Sequence, residues 1–134
     1  MAWHAHIIPT LRNSSLFQKV ALQGAKIRAW INLSLFLDLH YDPTTGSYSY
    51  AVIDLSLPYA GDKRLFGWDD FPHPGNPVLT NIPSYPHHFQ RRQPDGHWDF
   101  SASIFSGHIE AEIPLVLDYL REYLASSIST NLDS

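Results

Sequence analysis

The stretch from Lys26 to Tyr41 constrains the fold more tightly than any other part of the chain. Ile27, Ala29, Ile31, Leu33, Leu35, Leu37 and Leu39 alternate there with Lys26, Arg28, Trp30, Asn32, Ser34, Phe36, Asp38 and His40. Period two puts each set on its own side of an extended backbone, so the stretch reads as one long strand with a single buried face. Its length predicts a bend or bulge midway. Asp42-Pro43-Thr44-Thr45-Gly46 follows as a turn, with Pro presetting φ early and Gly supplying a positive φ at the end. Residues Tyr48 to Leu55 then return as the second arm of a hairpin.

The rest of the chain extends this meander. Leu16 to Leu22 is apolar enough for a strand, with helix as a rival, and Gly24 marks the turn into the long strand. Pro58 to Asp62 makes a turn and Lys63 to Trp68 a third strand. Residues 71–83 carry four prolines, which no central strand tolerates, so they form a loop. Ser84 to Arg92 resumes as a strand, with Pro86 at its edge or start. Gln93 to Gly96 turns, and His97 to Phe100 adds a short strand. Glu112 to Ser126 is an amphipathic helix with Ile113, Val116, Leu117, Leu120 and Leu124 on one stripe. Pro114 belongs in its first turn, and Glu110 and Glu112 suit its positive dipole end. Residues 126–134 form a tail expected to fray. The expectation is therefore one α+β domain over residues 1–134: a twisted antiparallel meander of five to six strands, with the C-terminal helix packed on one face.

Composition narrows the function. With 134 residues and 44% hydrophobic content the chain can bury a core, and it has no Cys, which excludes a thiol nucleophile and any thiolate metal site. A formal net charge of −4 confines any nucleic-acid contact to a local basic patch, the candidates being Lys63-Arg64, Arg91-Arg92, Arg12, Lys26 and Arg28. The N-terminus has no signal-peptide pattern and no run is long enough to cross a membrane, so a cytoplasmic location and no membrane partner are expected. Histidine and proline crowd together: five of eight His fall between His73 and His108, and six of ten Pro between Pro72 and Pro94.

Two blocks stand out in that region, Phe66-Gly67-Trp68-Asp69-Asp70-Phe71-Pro72-His73 and Tyr85-Pro86-His87-His88-Phe89. In these the chain resembles the TumE family of toxins from type II toxin–antitoxin modules. Members carry Trp-Asp-Asn-x-Pro-His-His, then a second Pro-His-His, then an amphipathic helix. Trp68, Asp69, Pro72 and His73 match the first block, and Pro86, His87 and His88 the second. Asp70 stands in place of the family's Asn, Pro74 in place of a second His, and Gln90 in place of a further His. The resemblance implies a toxin acting on RNA or translation, neutralised by a cognate antitoxin with a helix-turn-helix domain. A homodimer is left open.

Chemically, a pair of histidines can serve as general base and general acid in metal-independent RNA cleavage, with a cation beside the phosphate. The expected catalytic group is Asp69, His73, His87, His88 and Arg91. Arg64, Trp68, Tyr85 and Arg92 are expected to bind substrate, the aromatics by stacking on bases. If 84–92 is a strand, His87 and His88 point to opposite faces, so only one reaches a given pocket. No cofactor is called for. A Zn²⁺-type site from His73, His87 or His88 with Asp69 or Asp70 is a weaker reading. Bland readings stand beside each: Trp68 as core, Asp69 and Asp70 as loop caps, His73 as a loop brace, Arg91-Arg92 as solvated surface. The alternative function is a non-catalytic protein-binding module using the Pro/His-rich loop.

Overall fold

The computed structural model describes the backbone of residues 2–133 and the side chains of residues 2–127. Ten elements follow in order: α1 (His4–Asn13), β1 (Lys19–Gln23), β2 (Lys26–Trp30), β3 (Leu35–Tyr41), β4 (Tyr48–Asp54), β5 (Arg64–Asp69), α2 (Pro77–Thr80), β6 (His88–Arg92), β7 (Trp98–Ala102) and α3 (Ile109–Asp133). The strands form one antiparallel sheet in sequential order, β1 to β7. The α+β meander with a C-terminal helix is as expected, but it has seven strands rather than five or six.

The extra strand comes from the segment 26–41, which is a hairpin and not one bent strand. Trp30 pairs with Phe36, Ala29 with Leu37 and Ile27 with Leu39. Five residues separate Trp30 from Phe36. An odd connection keeps odd-numbered residues on the same face in both arms, so the alternation runs through the turn unbroken. The turn is made by Asn32, whose Oδ1 accepts the N–H groups of Ser34 (2.9 Å) and Leu35 (3.0 Å). Leu33, expected on the buried face, sits at the tip and is 93% exposed.

Ile27, Ala29, Leu37, Leu39, Tyr50 and Val52 line one face of the sheet, all fully buried. Ile113, Val116, Leu117 and Leu120 of α3 cover it, joined by Ile7 and Leu11 of α1, a helix the sequence patterning did not reveal. Towards β5 and β6 the layer turns aromatic: Tyr119 of α3 packs 5.1 Å from Phe66 and 5.1 Å from Trp68, ring to ring. The α3 helix starts at Ile109, three residues before the expected Glu112, so Pro114 lies beyond the first turn. Helix continues past Ser126 to Asp133, where fraying was expected, and residue 134 lies outside the described residues. Among the described residues no helix is long and apolar enough to cross a membrane.

Two further differences bear on the site. The strand expected over Ser84–Arg92 begins only at His88, because residues 82–87 turn tightly, the Tyr85 N–H donating to the Ile82 carbonyl (3.0 Å) and the His87 N–H to the Ser84 carbonyl (2.9 Å). Between β4 and β5 the register shifts: Val52 pairs with Phe66 but Ile53 with Arg64, leaving Leu65 as a bulged residue.

Candidate functional site

The face of the sheet away from α3 is polar. Across it, Ser49, Asp69, His88 and Ala102 follow one another as register partners, and Asp38, Ala51, Gly67, Gln90 and Phe100 form the next row. Asp69 closes β5 and His88 opens β6, so the two motif blocks meet in neighbouring strands. The loop between them folds back and sets His73 over the pair, its ring 5.3 Å from that of His88. The fold-back requires a left-handed backbone at His73 (φ 40°), a region non-glycine residues seldom occupy. Tyr85 ties the blocks together, its hydroxyl donating to the Pro72 carbonyl at 2.8 Å.

Asp69 is the hub. Its Oδ2 accepts from Arg64 Nη1 at 3.0 Å, and its Oδ1 accepts the Phe71 N–H at 2.9 Å and lies 3.2 Å from His88 Nε2. The loop-cap reading of this aspartate therefore holds alongside its place in the cluster. Arg64 and Asp69 are five residues apart and would face opposite sides of a regular strand. The Leu65 bulge reverses that, turning Arg64 onto the same face as the carboxylate. His88 is wholly buried; its Nδ1 meets the Pro86 carbonyl at 3.0 Å and its Nε2 meets Gln90 Oε1 at 3.0 Å. Both ring nitrogens therefore face carbonyl oxygens, which only accept. Desolvation lowers the pKa of His73, and the neighbouring His88 and Arg64 add to that while Asp69 opposes it. Asp69, His73 and His88 each offer one ligand atom, all within 4.8 Å of one another.

The cluster opens on a cavity of about 520 Å³, lined also by Asp62, Asp70, His40, Gln90, Trp98 and Phe100. Three carboxylates face one guanidinium there, a formal excess of two negative charges. Asp70 is a cap as well, accepting from Ser47 Oγ (2.8 Å) and thereby holding the start of β4. Two nitrogens of cavity-lining residues, Arg64 Nε and His40 Nδ1, are buried without a partner among the described residues.

The structure gathers only part of the expected set. Asp69, His73, His88 and Arg64 come together. His87, which precedes β6 and lies outside the strand on which the parity expectation rested, is turned away from His88: its ring stacks on Tyr48 (5.8 Å) and its Nδ1 lies 3.1 Å from the Tyr48 hydroxyl. Arg91 points to the helix side, flanking Tyr119, Glu122 and Tyr123, and does not reach the cluster. Trp68 is 5% exposed and packs in the aromatic core, so the base-stacking role expected of it is not met there. Arg92 is held flat over Trp98, 3.9 Å from the ring centroid, and donates to the carbonyls of Asp62 and Gly96. Tyr85 spends its hydroxyl on Pro72. Gln90 and Phe100, which contact His88, were not singled out as site residues; their only signal was position, two residues after His88 and on the strand that pairs with it. Comparison with protein-family models, with curated proteins and with solved structures finds no match for this chain.

Proposed function

We propose that the chain is the toxin of a type II toxin–antitoxin pair, acting on RNA or on translation through the Asp69–His73–His88–Arg64 cluster. One observation supports this above others: the Trp-Asp-x-x-Pro-His and Pro-His-His blocks, separated in sequence, supply the carboxylate and both imidazoles of one cluster, whose Asp69 and His73 line the cavity. His73 is the imidazole that reaches the cavity, and His88 backs it from the sheet. Arg64 lines the same cavity and brings a guanidinium, the cation that suits a phosphate oxygen. Phe100 and Trp98 give aromatic surface beside the polar group, the combination that holds an unpaired base. A helix-turn-helix antitoxin would act by covering this face.

The test is inducible expression in a bacterial host. Wild type is expected to arrest growth; His73→Ala and Asp69→Asn are expected to relieve the arrest, and His97→Ala, which lies in an exposed turn, to keep it. Wild type and His73→Ala cultures growing at the same rate would overturn the reading.

A second reading, the non-catalytic binding module, is favoured by Phe71 and Val78, which project from the Pro/His loop at 59% and 61% exposure. It expects no arrest, and a partner protein released by Phe71→Ser with Val78→Ser.

A further inference from the structure

We propose that Asp69, His73 and His88 bind a divalent transition-metal ion of the zinc class, with Arg64 and the Pro86 carbonyl as outer partners. The argument starts at His88. Its Nδ1 is held on the Pro86 carbonyl, which leaves Nε2 as the ring nitrogen turned towards Asp69 and Gln90. That nitrogen is fully buried and faces an anionic oxygen, Asp69 Oδ1, at 3.2 Å. Two acceptor oxygens, Asp69 Oδ1 and Gln90 Oε1, thus converge on one buried imidazole nitrogen, an arrangement completed by a positive centre, either a proton on Nε2 or a metal ion, and the third ligand atom from His73 favours the metal. A ring N–H fixed on a backbone carbonyl, with the other nitrogen turned inward, is also the outer-shell arrangement that orients a metal-ligating histidine.

The spacing agrees. Bonds of about 2.0–2.1 Å at tetrahedral angles place ligand atoms roughly 3.3 Å apart, close to the Asp69–His88 separation. His73 completes the set, its ligand atom lying within 4.8 Å of the other two. Asp69 meets the requirement that a ligating carboxylate be supported, since Oδ2 is held by Arg64. Two imidazoles and one carboxylate suit Zn²⁺, Fe²⁺, Co²⁺ or Mn²⁺ better than Mg²⁺ or Ca²⁺, which want oxygen. Charge agrees too: a divalent ion cancels the two excess negative charges of the cavity lining. Three protein ligands leave a coordination position directed at the cavity, the pattern of a site that works on a bound ligand rather than one that only braces a fold.

Binding is read on the purified, metal-stripped full-length protein and so does not depend on the RNA reading. Zn²⁺ is titrated by calorimetry, Co²⁺ by its visible absorption, and Mg²⁺ serves as the hard-ion comparison. One equivalent of Zn²⁺ is expected to bind, with Co²⁺ giving visible bands that Zn²⁺ displaces. Mg²⁺ should bind at least about a hundredfold more weakly. His73→Ala should weaken Zn²⁺ by more than tenfold, and Arg64→Gln by roughly tenfold through the carboxylate it supports. In the wild-type protein, ring resonances of His73 and His88 should shift with Zn²⁺ while those of His97 stay still, a measurement that does not require any variant to fold. Failure of Zn²⁺ to bind, Mg²⁺ binding equally well, or shifts confined to other histidines would each overturn the site.

Discussion

The carboxylate of Glu112 is buried and accepts three hydrogen bonds, from the Tyr50 hydroxyl (2.8 Å), the Ser106 N–H (2.8 Å) and the Gly107 N–H (3.0 Å). It thus ties the start of α3 to the centre of β4 and satisfies donors that the incoming loop would otherwise leave bare. Burial, and then the adjacent carboxylate, push the Tyr50 hydroxyl far above its usual range, so it stays a donor. Glu112→Ala leaves these donors without an acceptor and should cost about 2–3 kcal/mol, seen as a lower urea midpoint with unchanged slope. Glu112→Gln keeps an acceptor oxygen and should cost less. At the cluster, Gln90 answers to the same logic: a polar side chain opposite a fully buried imidazole gives it a hydrogen-bond partner.

Among the elements, β5 carries the largest share of what makes the site. It supplies Asp69 at its end, Arg64 at its start through the bulge, and Gly67 between them. A Cβ on Gly67 would lie 2.5 Å from the Tyr50 carbonyl oxygen, so β4 and β5 can approach as they do only because that atom is missing. Gly67→Ala should therefore destabilise the protein by about 1–3 kcal/mol or more, lowering the thermal midpoint. Because Gly67 lies between Arg64 and Asp69, the same change should disturb the ion pair they form. The β2–β3 hairpin teaches a different lesson about elements. A turn that preserves parity is invisible to period-two reading, and the small signal it did leave was Asn32, a residue that makes its own turn.

For the whole molecule, the sheet divides two environments: an apolar layer sealed by α1 and α3, and an open face with charged and aromatic groups. The open face is not strongly basic. Lys26 and Arg28 both pair with Asp38, each at 3.2 Å, and Arg64 pairs with Asp69. Lys19 and Arg92 share this face by register, so at most five cations are available to a single-stranded RNA and the slope of log affinity against log salt should be no steeper than about −3.5. Fluorescence anisotropy of a short labelled RNA between about 50 and 200 mM salt measures it. A steeper slope would mean that RNA engages cations elsewhere, Arg91 on the helix side foremost. Four of the nine expected site residues converge here; alternation keeps Trp68 and Arg91 away, while Tyr85, His87 and Arg92 are held by contacts of their own. Trp68 and Arg91 are bound by alternation to the side of the sheet that faces α3.

What this sequence determines by itself is what depends on neighbours along the chain. Alternation sets which residues of β2 to β6 are buried, the Pro and Gly positions set the turns and the loop over 71–83, and the apolar stripe sets the face α3 presents. Tertiary structure decides the rest, because it depends on register between strands. The Asp69–His88 partnership, the bulge that turns Arg64 to the same face, and the strained backbone that lays His73 over both arise from pairing across the sheet. A one-residue slip in either register would send these side chains to opposite faces, and no local pattern in the sequence records which register prevails.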